Sequence, residues 1–143
     1  MKLSILLAGA NGMIGSFLYN SFNKDYSITA LDYSKGLIED NFFSIDLIQE
    51  ADVETFAEKS PKCDALIFLV GLAHKKGKGQ ELDEFRRINK QTLVNLLSKL
   101  DEKNKLPEKI IFATHQTRIT IHRFNNRNIN INNTEQYEIL ILN

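Results

Sequence analysis

Three glycines at a fixed spacing carry the clearest chemical signal in this sequence. They lie in the segment Gly9-Ala10-Asn11-Gly12-Met13-Ile14-Gly15. Gly9 would permit a sharp turn, Gly12 would let a pyrophosphate approach the backbone, and Gly15 would let a helix pack closely. The N–H groups that open a helix also attract anions. The segment therefore predicts a dinucleotide-binding turn, and the alternative is a tight strand–helix turn without a ligand.

A carboxylate further along the chain supports the dinucleotide interpretation. Asp32 ends a short apolar run that follows the glycine turn. A carboxylate there would accept hydrogen bonds from a free ribose 2′-hydroxyl and would repel a 2′-phosphate, which favours NAD over NADP. The alternative is a solvent-exposed aspartate at the end of a strand, since aspartate is usually exposed.

The elements that must position these residues follow from the apolar pattern. Short apolar runs that end near Gly or Asp predict strands at 2–8, 28–31, 42–45, 65–70 and 109–113. Apolar residues at helical spacing predict helices at 14–22, 52–59 and 81–100. The apolar stripe of the first is Ile14, Phe17, Leu18 and Phe22, and Val53, Phe56 and Ala57 of the second are expected to face inward. This alternation predicts an α/β fold, a Rossmann-type doubly wound parallel sheet that is incomplete after the fifth strand.

Length and composition limit the functional classes. The chain has 143 residues, the size of one domain, and its 18 basic and 18 acidic side chains cancel. That balance predicts no binding to nucleic acid or to an anionic membrane. Cys63 is the single cysteine, so no intrachain disulfide can form, and a reducing, cytoplasmic location is expected. Cys63 precedes an apolar run, which favours an inert buried thiol over a nucleophile.

The composition changes abruptly near residue 114. All 13 lysines, all 7 glycines and all 8 alanines lie before Thr114, whereas the last 30 residues contain 7 asparagines. We therefore divide the chain into a predicted NAD(P)-binding Rossmann domain at 1–114 and an atypical Asn/Ile-rich tail at 115–143. A frameshift in the coding DNA is one hypothesis for the tail, and a native short protein is the other. Sequencing that DNA for a downstream frame that encodes Tyr-x-x-x-Lys distinguishes them.

Several segments together resemble one family. The GANGMIG turn is similar to that of the extended short-chain dehydrogenase/reductases, the NAD-dependent epimerases and dehydratases of nucleotide sugars. Four more segments match that family in order: Asp46-Leu47, Gly71-Leu72-Ala73-His74, Asn89-Lys90-Gln91-Thr92-Leu93-Val94-Asn95-Leu96-Leu97 and Lys109-Ile110-Ile111-Phe112-Ala113-Thr114. The resemblance covers residues 1 to about 114.

The resemblance implies a set of site residues and partners. NAD is the implied cofactor, a nucleotide sugar is the substrate in the full-length family, and the Asp46 carboxylate would contact the adenine amino group. Asn89 also falls on the buried stripe of its predicted helix, where an amide needs hydrogen-bonding partners, although an exposed Asn is the alternative. The cofactor-binding residues assigned in this way are Gly9, Asn11, Gly12, Met13, Ile14, Gly15, Asp32, Asp46, Leu47, Gly71, Leu72, Ala73 and Asn89.

The catalytic residues of the family do not follow the fifth strand. Its chemistry needs a Tyr-x-x-x-Lys pair, in which the lysine lowers the phenol pKa so that the tyrosinate acts as general base. Here Tyr137 is the only tyrosine after Ala113, and Ile141 stands four positions later. Thr114 stands where the family's catalytic Ser/Thr begins, but a hydroxyl alone cannot perform acid–base catalysis.

These observations lead to one interpretation and two alternatives. The chain is interpreted as the NAD-binding portion of a nucleotide-sugar epimerase or dehydratase, truncated and incapable of turnover. A non-catalytic NAD(H)-binding sensor or scaffold is the first alternative. A reductase whose catalytic groups come from a partner chain is the second.

The tail raises a structural question about the fifth strand. Without a sixth strand, Ile110, Ile111 and Phe112 would lie on an exposed sheet edge, which favours self-association. Ile119 and Ile121 alternate as strand residues do. The asparagines that follow are depleted in sheets, so a disordered or loosely held tail is expected.

Overall fold

A computed structural model of the protein describes residues 1–71, 80–113 and 119–123. The strands of this part are β1 (Ser4–Ala8), β2 (Ser27–Asp32), β3 (Phe42–Ser44), β4 (Ala65–Phe68), β5 (Lys109–Ala113) and β6 (Ile119–Arg123). The helices are α1 (Met13–Phe22), α2 (Glu50–Lys59) and α3 (Gln80–Glu102). Each predicted element is therefore present, with ends that differ from the prediction by at most two residues.

The strands form one sheet in the order β3-β2-β1-β4-β5-β6. The pairs from β3 to β5 are all parallel, which confirms the predicted Rossmann-type α/β fold. Chain order reverses direction between β1 and β4, so the connections after these two strands diverge. In open α/β sheets, ligands bind at the carboxyl ends of the strands beside such a point.

One face of the sheet is covered by α2 and α3. Val53, Phe56 and Ala57 of α2 are buried there, as their spacing predicted. The buried leucines of α3, which are Leu96, Leu97 and Leu100, belong to the same cluster. They pack there with side chains of the central strands, namely Leu6, Leu66 and Ile110. This face therefore anchors the C-terminal half of α3 on the sheet.

The opposite face packs against α1, but with fewer residues than the sequence predicted. Leu18 and Phe22 contact the cluster formed by Ile5, Leu7 and Ile28. Ile14 and Phe17 were predicted on the same stripe, yet they are 56% and 69% exposed. The reason is that α1 touches the sheet through its C-terminal half, where Tyr19 joins Leu18 and Phe22 in that cluster.

The expectation that β5 forms the sheet edge was wrong. β6 pairs antiparallel with β5, and Ile111 stands opposite Ile121 in the register. β6 begins with alternating Ile and Thr, which are both β-branched and favoured in strands. The open edge of β5 supplies the hydrogen-bonding partners for the β6 backbone. The asparagine-rich segment, which argued against a strand, begins at Asn125 and therefore lies beyond the end of β6 at Arg123. Self-association through the sheet edge stays a prediction, with β6 as the edge strand.

Parts of the predicted site and tail lie outside the described residues. These are Leu72, Ala73 and Thr114, together with residues 115–118 and 124–143 of the tail. Among the helices of the described part, none has the length and apolar character needed to cross a membrane.

Candidate cofactor site

The turn after β1 is built on a backbone conformation that favours glycine. Gly9 has φ +84°, a left-handed value that is costly for any residue with a side chain. Its N–H donates to the Leu31 carbonyl at 2.9 Å, which ties the turn to the end of β2. A Cβ on Gly9 would also lie 3.0 Å from the carbonyl carbon of Leu69. Glycine at position 9 is therefore required by both conformation and space.

The other two glycines of the turn differ in what surrounds them. A Cβ on Gly15 would lie 2.1 Å from the Gly9 carbonyl oxygen, so the start of α1 packs directly on the turn backbone. A Cβ on Gly12 would meet that same oxygen at 3.4 Å, an ordinary contact, and Gly12 lines an open cavity. Gly15 thus serves the fold, whereas Gly12 keeps the cavity wall free of a side chain.

The first turn of α1 carries no acidic side chain. Gly12 is the N-cap residue and offers no side-chain hydrogen bond. The helix dipole and the N–H groups of that turn therefore present a positive end to whatever lies in front of Gly12. Met13 and Ile14 occupy this turn with side chains that are 89% and 56% exposed.

Asp32 joins the glycine turn to the end of β2. One of its carboxylate oxygens accepts a hydrogen bond from the Asn11 backbone N–H at 2.9 Å. The other accepts from the Tyr33 backbone N–H at 2.7 Å. A carboxylate has about four acceptor positions, so capacity remains for ligand hydroxyl groups. The half-buried Asp32 is thus both a structural acceptor and part of the cavity wall.

The side chain of Asn11 holds the loop that follows β2. Its amide nitrogen donates to the Ser34 carbonyl oxygen. A Cβ on Gly36 would collide with the Asn11 amide, at 2.4 Å from Oδ1, so the loop passes close over this side chain. Asn11 therefore fixes the loop beside Asp32, although its side chain does not line the cavity.

A cavity of about 510 Å³ opens at the carboxyl ends of β1, β2 and β4. Two carboxylates, Asp32 and Asp46, face it from neighbouring strand ends. Its walls are otherwise mainly apolar and backbone, and its lining residues are Gly9, Gly12, Leu31, Asp32, Tyr33, Ile45, Asp46, Leu47, Ile48, Leu69, Val70, Gly71, Asn89 and Thr92. A concave apolar site with a few polar groups is the usual form of a cofactor pocket.

The segment after β3 forms a tight turn at the edge of this cavity. The Ile48 backbone N–H donates to Oδ1 of Asp46 at 3.0 Å, and the Gln49 N–H donates to the Asp46 carbonyl at 3.1 Å. Leu47 is buried in the core beneath the turn. The turn therefore fixes one Asp46 oxygen while the residue remains on the cavity surface.

Helix α3 contributes another part of the cavity wall. Asn89 is half-buried and lines the cavity, and the Thr92 hydroxyl donates to the Asn89 carbonyl at 2.9 Å. A Cβ on Gly71 would lie 3.8 Å from the Asn89 amide nitrogen, so β4 and α3 approach each other here. The backbone after β4 and this turn of α3 therefore form one side of the site.

The structure brings together most of the predicted site residues that it describes. Those on the cavity wall are Gly9, Gly12, Asp32, Asp46, Leu47, Gly71 and Asn89. Asn11, Met13, Ile14 and Gly15 belong to the adjoining turn without lining the cavity. Thr92 is buried on the wall and was not predicted, although it stands in the quoted helix segment, three residues after Asn89.

The described residues fit a bound NAD molecule. The bare Gly12 backbone and the uncapped start of α1 suit a pyrophosphate, and the two carboxylates suit hydroxyl and amino donors. The apolar residues that follow β3 and β4 on the cavity wall, such as Ile45 and Val70, suit an adenine ring. Within the described part of the chain, no group of His, Cys, Asp and Glu could hold a metal ion.

Comparison with known proteins decides the family. The model of the NAD-dependent epimerase/dehydratase family matches residues 5–117. The chain belongs to the NAD-dependent epimerase/dehydratase family. This confirms the resemblance read from the glycine turn and the segments that follow it, and it agrees with the predicted NAD cofactor. No curated protein sequence matches the chain.

Solved structures of epimerases and of a short chain dehydrogenase share the fold. ADP-L-glycero-D-manno-heptose-6-epimerase of Helicobacter pylori is 20% identical, with TM-score 0.63 over 81% of this chain and 40% of that chain. UDP-glucose 4-epimerase of Thermus thermophilus, solved with NAD, is 22% identical, with TM-score 0.63 over 81% and 39%.

A third structure is a short chain dehydrogenase family protein from Francisella tularensis. It is 17% identical, with TM-score 0.66 over 82% of this chain and 52% of that chain. Identities this low establish the fold alone. The chain spans about 40% of the length of the Helicobacter epimerase.

Proposed function

We propose that this chain is an NAD-binding unit of the nucleotide-sugar epimerase/dehydratase type that has no turnover by itself. The observation that carries the proposal is the cavity in front of Gly12, which two carboxylates face and which the start of α1 borders. Family membership supports NAD as the ligand. The roles of single residues below belong to the same proposal.

Each part of the dinucleotide would meet a different part of the site. The backbone around Gly12 and the first turn of α1 would hold the pyrophosphate. Asp32 would accept hydrogen bonds from the adenosine ribose, and Asp46 would accept one from the adenine amino group. Gly71, Leu72, Ala73 and Asn89 would border the remaining part of the cofactor. NAD, when bound, would supply a hydride acceptor.

The proposal of no turnover concerns the general base. A Tyr-x-x-x-Lys pair does not occur among the 143 residues. The positions that lie four residues after each of the four tyrosines are 23, 30, 37 and 141, and none of them is lysine. The described cavity wall offers Tyr33 as its only tyrosine, and this residue lies at the end of β2 beside Asp32. The general base that the family resemblance implies for proton removal from a sugar hydroxyl, a phenol held near a lysine, is therefore missing from these residues.

An assay of the purified chain tests both halves of the proposal. UDP-glucose is a suitable probe, because it is the sugar nucleotide in the name of the Thermus relative. NAD should bind, and neither UDP-galactose nor NADH should form from UDP-glucose after prolonged incubation. Product formation by the homogeneous chain would overturn the proposal of no turnover, and failure to bind NAD would overturn the binding half.

A further inference from the structure

A buried amide on α3 reaches across to the turn that carries Asp46. Asn95 is 7% exposed, and its Nδ2 donates to the Leu47 carbonyl at 2.9 Å and to the Ile48 carbonyl at 3.4 Å. Asn95 does not itself line the cavity, whereas Leu47 and Ile48 do. The amide therefore acts on the cavity wall from behind.

The orientation of that amide is fixed from the surface side. Gln91 lies one helical turn earlier on α3, and its Nε2 donates to Oδ1 of Asn95 at 2.6 Å. An asparagine amide has its acceptor on one atom and its donors on the other. Because Oδ1 is taken by Gln91, the donor end of Asn95 faces the turn after β3.

One peptide unit connects Asn95 to Asp46. The Leu47 carbonyl and the Ile48 N–H belong to the same planar trans peptide, so they point in opposite directions. The carbonyl side accepts from Asn95, and the N–H side donates to Oδ1 of Asp46 at 3.0 Å. Rotation of this peptide would break both hydrogen bonds at once. Its orientation therefore links the amide on α3 to the carboxylate on the cavity wall.

We propose that Asn95 is a positioning residue that sets the Asp46 carboxylate for recognition of the adenine 6-amino group, acting through the Leu47–Ile48 peptide. The proposal rests on the NAD-binding function proposed above and explains how the site would select an adenine base. Without the amide, the buried Leu47 carbonyl would lose its donor, and the peptide would be free to turn toward another one. Asp46 would then lose the N–H that holds its Oδ1.

Two ligands that differ at one group measure this effect. Nicotinamide hypoxanthine dinucleotide carries a carbonyl oxygen where NAD carries the adenine 6-amino group, so at that position it offers Asp46 an acceptor and no donor. A hydrogen bond to a charged acceptor should make the wild-type chain prefer NAD by roughly tenfold or more. The ratio of the two dissociation constants cancels general losses of stability or of phosphate binding, which affect both ligands equally.

Two variants and a matched control complete the experiment. Asn95→Leu removes the donor and keeps a similar volume. Gln91→Ala changes an exposed residue, so it should fold even if Asn95→Leu does not. It removes the donor to Oδ1 of Asn95, which fixes the orientation of the Asn95 amide. Lys105→Met is the control, because Nζ of Lys105 donates to the carbonyls of Ala57, Glu58 and Ser60, none of which lines the cavity.

The expected results separate the proposal from a merely structural role. Asn95→Leu should reduce the preference for NAD to within about threefold, Gln91→Ala should reduce it partly, and Lys105→Met should leave it unchanged although it lowers the melting temperature. An unchanged preference in folded Asn95→Leu, or in Gln91→Ala if Asn95→Leu does not fold, would overturn the proposal. Equal binding of both ligands by the wild type would overturn it too, while the NAD-binding function would stand. A wild type that binds neither ligand overturns both.

Discussion

The Asp32 carboxylate accepts a hydrogen bond from the Asn11 backbone N–H at 2.9 Å. This bond joins the end of β2 to the middle of the glycine turn. The residue proposed to recognise the ribose therefore also holds the backbone proposed to recognise the pyrophosphate. A substitution of Asp32 changes two parts of the site, and the choice of replacement decides which part is tested.

Two replacements of Asp32 should separate charge from turn geometry. Asp32→Asn keeps one acceptor oxygen for the Asn11 N–H, loses the oxygen that accepts from the Tyr33 N–H, and removes the negative charge that repels a 2′-phosphate. The preference for NAD over NADP should narrow by roughly tenfold or more, with a modest fall in the melting temperature from the lost Tyr33 hydrogen bond. Asp32→Ala should narrow it as well and should also weaken NAD binding, because the Asn11 N–H loses its partner.

Titration calorimetry with both cofactors measures these effects. Asp40→Asn is the matched control, since Asp40 is an exposed acid that does not line the cavity. The control should keep the wild-type preference. If Asp32→Asn keeps it too, the charge of Asp32 does not select the cofactor.

The contrasting surroundings of two glycines predict opposite phenotypes. Gly12 has φ −66° and ψ 169°, an extended conformation that valine adopts readily, so Gly12→Val should fold and lose cofactor affinity. In Gly15→Ala the new Cβ would start 2.1 Å from the Gly9 carbonyl oxygen, and the helix must shift. We expect a loss of about 1–3 kcal/mol in the free energy of unfolding.

Urea unfolding and NAD titration of both variants check this contrast. Gly12→Val should stay within about 1 kcal/mol of the wild type in stability. Unchanged NAD affinity in Gly12→Val would show that the turn is only structural. A fully stable Gly15→Ala would contradict the close packing of α1 on the turn.

A pair at the other end of the sheet predicts a pH-dependent stability. The Ser4 backbone N–H and hydroxyl both donate to Oδ2 of Asp64, at 2.7 and 2.8 Å. These bonds, the backbone one first, hold the pKa of Asp64 below its ordinary value of 3.8. Since the folded-state pKa is lowered, the stabilisation is present above pH 3.8 and disappears as the pH falls through the folded-state pKa.

Denaturant unfolding of Asp64→Asn from pH 7 down to pH 2 measures this contribution. The wild type should be more stable than the variant at pH 7, and the difference should shrink as Asp64 becomes protonated. Ser4→Ala removes only the hydroxyl donor, so its effect should be smaller. A difference that is constant over this pH range would show that ionisation of Asp64 contributes nothing.

The single cysteine provides a reporter of the folded core. Burial raises the pKa of the Cys63 thiol, although a hydrogen bond with Thr29 partly offsets the effect. Because the thiolate is the reactive form, alkylation by iodoacetamide at pH 8 should be slow in the folded chain and fast in 6 M urea. Equal rates in both conditions would contradict a buried Cys63.

The sequence was sufficient for the elements whose signals are local. Glycine at positions 9, 12 and 15 marked the turn, and continuous apolar runs such as residues 65–68 marked the buried strands. β6 was missed because the nearby asparagines outweighed the alternation of Ile119 and Ile121, and because the open edge of β5 is a tertiary partner. The exposure of Phe17 was missed for a similar reason, since helical spacing does not say how far a helix reaches over the sheet.

The site was predictable to a similar extent. Asp32 was found because it ends a strand, and parallel strands bring such ends to one edge. Asp46 was assigned through the resemblance to the family. The second role of Asp32, as acceptor for Asn11, depends on the shape of the turn and has no signal in the sequence. Asn95 was visible only as a letter of the helix segment, because its partners Leu47 and Ile48 are far away in the chain.

The most direct test of the central claim is calorimetric titration of the purified chain with NAD and, separately, with NADP. We expect saturable binding of NAD, weaker binding of NADP, and a marked loss of NAD affinity in Gly12→Val. Absence of NAD binding by the folded chain, or tighter binding of NADP than of NAD, would contradict the account.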